Sequence, residues 1–144
     1  MKLRIDNSES VDQFFENSRL MGIVAPIRHY QFCWMLNKYL KFDFRTYHDL
    51  EIQLEKKKRK YFFTIYNHNE PLISLEHFLY QNTFDGEHLL PEFKHLDYLW
   101  MIRGEAIKAE VFQNLMSSIR TILGVQMVTE IAQERIRNKT HLIL

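Results

Sequence analysis

Residues 98–104, YLWMIRG, most constrain what this chain can fold into. Successive side chains of a strand point to opposite sides, so an unbroken apolar run bounded by turn residues suits a strand covered on both faces. Gly104 and Glu105 then open a helical pattern. Ile107, Val111, Phe112, Leu115, Ile119 and Ile122 fall on one face, and an acidic first turn suits the positive end of a helix. Gly124 stands where a helix C-cap glycine belongs. VQMVTEI (125–131) reads as a further strand.

The first part of the chain follows the same order. LMGIVA (20–25) is a short apolar run, Pro26 suits a first helical turn, and residues 27–40 carry Tyr30, Cys33 and Trp34 at helical spacing. KFDFRTY and DLEIQL alternate with a period of two and predict strand. EKKKRK (55–60) reads as an exposed turn and YFFTIY (61–66) as a β-prone strand pairing with 50–54. NHNEP (67–71) has turn chemistry, LISLEHFLYQN (72–82) is the next strand, and TFDGEH holds an Asp-Gly turn. β-α-β, a hairpin-rich middle and β-α-β together predict one α+β domain over 1–144. Its expected form is a ferredoxin-like sandwich of two βαβ units, a mainly antiparallel sheet with two main helices on one face, plus an inserted β-hairpin.

Composition narrows the chemistry. Four glycines, at 22, 86, 104 and 124, cannot spell a phosphate-binding loop or a dinucleotide fingerprint. One cysteine, Cys33, excludes an intrachain disulfide and a multi-cysteine zinc site. Its place on the apolar face of the first helix, shared with Tyr30 and Trp34, predicts a buried thiol. The seven histidines form no HExxH or close pair, and no serine sits in a nucleophile elbow. The expectation is therefore no catalytic residue, no metal and no cofactor. A net charge of +1 supplies no global field for nucleic acid or anionic lipid. The N-terminus turns polar after five residues and no apolar run approaches the ~18 that span a bilayer, which predicts a cytoplasmic protein with no membrane role.

Two stretches stand out as candidate sites. In RKYFFTIY, Lys58, Arg59, Tyr61 and Phe63 match part of the aromatic-basic strand with which RNA-recognition motifs stack bases, although Lys60 and Phe62 replace its small residues. In LPEFKHLDY (90–98), a proline and two carboxylates precede the buried strand. Proline cannot donate to a sheet ladder, so Pro91 belongs at the strand's approach. Glu92 and Asp97 are placed to satisfy backbone or basic groups, and Tyr98 to anchor the strand with its ring inside and its hydroxyl bonded. The competing reading exposes both carboxylates in a cleft as a binding or catalytic pair.

LPEFKHLDY resembles the signature of the IPExxxVDY family, small bacterial proteins with no assigned activity. Pro91, Glu92, Asp97 and Tyr98 match outright, while Leu90 stands for Ile and Leu96 for Val. The order of YQFCWMLNKYL, FDFRTYHDLEI, the basic turn and a strand-glycine-helix is similar to the family's layout over nearly the whole chain. The resemblance implies a stand-alone cytoplasmic domain and carries over no reaction. The leading expectation is a non-enzymatic interaction or regulatory module with a protein partner. RNA binding through 56–66 and an ACT-like small-ligand domain are the alternatives, and a homodimer stays open.

Overall fold

In the computed structural model, which describes residues 11–46, 52–56, 58–104 and 107–143, the run around Trp100 is an interior strand. In chain order the elements are a helical turn α1 (residues 11–15), β1 (Ser18–Val24), α2 (His29–Leu40), β2 (Arg45–Thr46), β3 (Ile52–Lys56) and β4 (Arg59–Phe63). There follow β5 (Ile65–Glu70), β6 (Leu75–Gln81), β7 (Thr83–Phe84), β8 (Glu87–His88), β9 (Tyr98–Arg103), α3 (Ala109–Arg120) and β10 (Met127–Ile131). Among the described residues the main sheet has six strands in the order β10-β1-β9-β6-β5-β2, every neighbour antiparallel. The fold is thus mixed α+β. Because β1 is antiparallel to both β9 and β10, those two strands run parallel with β1 between them, and α3 makes the crossover.

Both faces of the sheet are covered, which is why β9 reads as one apolar run. Tyr98, Trp100 and Ile102 point to a core shared with Phe32, Cys33 and Leu36 of α2 and with Phe112, Met116 and Ile119 of α3. Leu99 and Met101 point to a second core on the opposite face. There Phe14 and Phe15 of α1, Leu89, Leu90, Phe93 and Leu96 of the segment entering β9, and Ile136 and Leu142 of the C-terminal tail pack together. Gly22 permits this: a Cβ there would lie 2.3 Å from Leu96 Cδ1.

The middle of the chain departs from its alternation. Residues 61–66 do not form one strand. β4 ends at Phe63, β5 starts at Ile65, and Thr64 between them is held by Gln81, whose Oε1 accepts its N–H and whose own N–H donates to the Thr64 carbonyl. The NHNE segment lies inside β5, because the buried Asn67 amide bonds the His77 carbonyl across the pair instead of closing a turn. The turn falls at 71–74. Among the described residues β3 and β4 pair only with each other, Ile52 facing Phe63 and Leu54 facing Tyr61. Of KFDFRTY, two residues pair in the sheet, while Phe42 and Phe44 leave the alternation to stack on Trp100. Residues 47–51, and with them the first part of DLEIQL, lie outside the described residues.

Candidate functional site

The LPEFKHLDY segment joins three parts of the chain. Pro91–Phe93 is a 3-10 turn rather than extended chain, so proline acts here at the start of a turn. Leu90 and Leu96 are buried in the second core. Glu92 accepts the Arg137 N–H at 2.6 Å, the Asn138 N–H at 2.9 Å and the Asn138 amide at 2.7 Å, so it fastens the tail. Burial opposes its charge, but the N–H groups of its own backbone, of Asn138 and of Arg137, with the Asn138 amide, hold its pKa below the usual glutamate range. Asp97 Oδ2 accepts the Ala25 N–H at 2.8 Å, and the Asp97 N–H donates to the Ile23 carbonyl at 2.8 Å. Burial raises the Asp97 pKa against the lowering effects of the Ala25 bond and of His88. The buried Tyr98 ring packs 4.7 Å from Phe32, and its hydroxyl donates to the Ile27 carbonyl. Asp97 and Tyr98 therefore hold both ends of Ala25–Ile27, the link from β1 to α2.

This arrangement sets where α2 begins. Pro26 lies in the link, Arg28 is the N-cap residue with extended backbone and no side-chain cap, and the helix runs from His29. His29 Nδ1 and the Tyr66 hydroxyl, 2.6 Å apart, tie the first turn to β5. A cleft of about 390 Å³ opens at this corner, lined among others by Arg28, His29, Gln81, Asp97 and Tyr98. Both Gln81 amide groups are engaged by backbone, and Asp97 and Tyr98 each bond backbone.

The outer side of α2 carries aromatics. Tyr30, Trp34 and Tyr39 are 57 %, 54 % and 57 % exposed. Sequence periodicity assigned Tyr30 and Trp34 to the core beside Cys33. The stripe that is buried is Phe32, Cys33 and Leu36, and the two aromatics sit on the opposite side. Cys33 is buried all the same, with burial and the nearby Asp43 carboxylate pushing its thiol up to about 11. Lys38 Nζ lies 4.7 Å over the Trp34 ring and 5.7 Å over Tyr39, while the two rings meet edge-on at 6.2 Å. Tyr30, Trp34 and Lys38 fall at i, i+4 and i+8, one line along the helix.

The RNA-like strand is placed otherwise. Tyr61 and Phe63 share a face, but it is the buried one, at 7 % and 0 % exposure in the second core. They offer no ring for a base to stack on, because β3, β4 and β7 fold over this side of the sheet. Lys58 and Arg59 are exposed. Arg59 is paired with Asp85, and Lys56 lies 3.1 Å from Glu87, so the exposed basic turn is also tied to the Asp-Gly hairpin by two ion pairs. No group of three metal-ligating side chains occurs among the described residues. His77 is buried among Trp100, Phe42 and Phe44, with Trp100 Nε1–H donating to its Nδ1.

One organising residue escaped the sequence reading. Asn82 is fully buried. Its amide donates to the Phe93 and Leu96 carbonyls, its Oδ1 accepts the Leu90 N–H, and its backbone bonds Asp97 and Leu89. The one available signal was an asparagine closing a β-prone run just before a loop rich in leucine. No family model, curated protein or solved structure matches this chain. No described helix is long and apolar enough to cross a membrane.

Proposed function

We propose that the protein is a non-enzymatic interaction module that works through the outer face of α2. The observation that carries this is the exposure of Tyr30, Trp34 and Tyr39 on a helix whose opposite side is sealed in the core. Tyrosine and tryptophan dominate the energy of protein interfaces, because they present large, stiff area with a polar tip. The Lys38 ammonium orders two of these rings before any partner arrives. On this reading LPEFKHLDY is a positioning device: Asp97 and Tyr98 aim the helix, while Glu92 secures the tail behind it. The same reading takes the chain as a cytoplasmic member of the IPExxxVDY family. It also takes β10-β1-β9-β6 with α2 and α3 as a ferredoxin-like core to which β5, β2 and the hairpins are additions, a view supported by the parallel β9 and β10 with β1 between them.

The test is affinity capture from the native cell with the wild-type chain and a Tyr30→Ala/Trp34→Ala/Tyr39→Ala variant, with and without nuclease. The expected result is a protein partner retained by the wild type after nuclease and lost by a variant that still melts cooperatively. A partner that stays with the variant, or one released by nuclease, would refute the proposal.

A further inference from the structure

The charges around the aromatic row narrow the chemistry of what binds it. Residues 26–42 contain no aspartate or glutamate. Arg28 is exposed at the N-cap of α2, Lys38 in its last turn and Lys41 at its C-cap. The acidic residue that follows, Asp43, is paired with Arg45 at 3.1 Å. Lys38 lies over two rings, and among the described residues no ion pair engages Arg28, Lys38 or Lys41. A surface with three cations that no ion pair neutralises among the described residues, set around three exposed aromatics, disfavours a second copy of itself. It complements an anionic partner that also offers apolar side chains.

We infer that the α2 face docks an acidic, apolar-containing peptide segment of another protein. This rests on the interaction reading above and goes beyond it in fixing the partner's chemistry. Carboxylates of the segment meet Arg28, Lys38 and Lys41, while its apolar residues lie against Tyr30, Trp34 and Tyr39. An anionic bilayer fits less well. Polybasic lipid-binding segments cluster about four to eight cations, and the apolar stripe of α2 that would enter a membrane is already buried in the core. A nucleic acid fits less well too, since a net charge of +1 supplies little phosphate neutralisation.

The experiment selects twelve-residue peptides from a random displayed library on the full chain. It then measures the affinity of the enriched peptides for the wild type, Trp34→Ala and Lys38→Glu/Lys41→Glu. The expected peptides interleave Asp or Glu with Leu, Phe or Trp. Their binding weakens at least about tenfold on the charge reversal and on Trp34→Ala, the loss of a central aromatic contact, and it falls with added salt. Enrichment of neutral or basic peptides that still need Trp34, or indifference to the charge reversal, overturns the acidic-segment inference while leaving the α2 surface standing. Peptides indifferent to Trp34→Ala overturn the surface itself. Failure to enrich any peptide counts against both. Trp34-dependent binding to phosphatidylserine vesicles, to a single-stranded oligonucleotide or to a second copy of the chain, without peptide binding, transfers the face to that partner and overturns the inference.

Discussion

Glu92 and Asp97 stand five residues apart in one segment and respond oppositely to acid. The Glu92 pKa is depressed in the folded chain, so its contribution is present above the ordinary glutamate value and is lost as pH falls through and below that range. The Asp97 pKa is raised, so the folded chain holds that proton more tightly than the unfolded one, and stability linked to it is present below the ordinary aspartate value of about 3.9 and is lost as pH rises above it through the raised one. Asp97→Asn keeps an oxygen for the Ala25 N–H and is expected to cost less than about 1 kcal/mol, whereas Asp97→Ala strands a buried donor and is expected to cost about 1–3 kcal/mol. Denaturant melts of the two variants at pH 7 check the ordering; equal losses would mean that the hydrogen bond carries nothing. Asn82 holds three buried backbone groups with one side chain. Asn82→Ala is expected to cost about 3 kcal/mol or more, because the Leu90 N–H and the Leu96 carbonyl lose their side-chain partner and the Phe93 carbonyl is left with the Leu96 N–H alone. A melt within about 0.5 kcal/mol of wild type would show that water replaces it.

At the scale of elements, strands and helices with strong periodicity were legible and the irregular ones were not. The run at 20–25 lies in β1 as far as Val24, 98–103 is a strand, α2 and α3 fall within the expected spans, and the Asp-Gly turn is where composition puts it. β4 and β5 could not be separated by sequence, because the break at Thr64 is imposed by Gln81 on another strand. The aromatic row on α2 was misassigned for a related reason. Tyr30, Cys33 and Trp34 satisfy a helical period, but so do Phe32, Cys33 and Leu36, and which stripe turns inward depends on the angle at which the link from β1 enters the helix. That link is held by Asp97 and Tyr98, some seventy residues away. Of the candidate site, the motif was visible as a motif and its partners were not. Gly22 belongs to the same device. Gly22→Ala drives a methyl into Leu96 and is expected to cost about 1–3 kcal/mol, the usual range for overpacking. Restoration by Gly22→Ala/Leu96→Val would tie the loss to that contact; an additive double variant would break the link.

At the scale of the whole molecule, two cores share one sheet, and a buried histidine marks the helix-covered side. Trp100 Nε1–H donates to His77 Nδ1 at 3.0 Å, which requires that nitrogen to be unprotonated, while Nε2 lies 2.7 Å from Glu70. Burial lowers the His77 pKa, with His68 acting in the same direction and Glu70 opposing. The folded chain then binds this proton less readily than the unfolded chain, so stability is held above the ordinary histidine value and lost as pH falls through and below it. The His77 ring resonances are expected to titrate with a midpoint below about 6.5, and a midpoint at or above that value would contradict the buried neutral assignment. Asp97 and Tyr98 hold the link that leads into α2, and in the function proposed above this hold presents the outer face of the helix. Residue-resolved hydrogen exchange on the wild type and on Asp97→Ala/Tyr98→Phe tests it most directly. The expected result is that Phe32 and the amides of the turn that follows it lose protection while the β9 amides at Trp100 and Met101 keep theirs. Uniform loss across α2 and β9, or unchanged protection in α2, would contradict it.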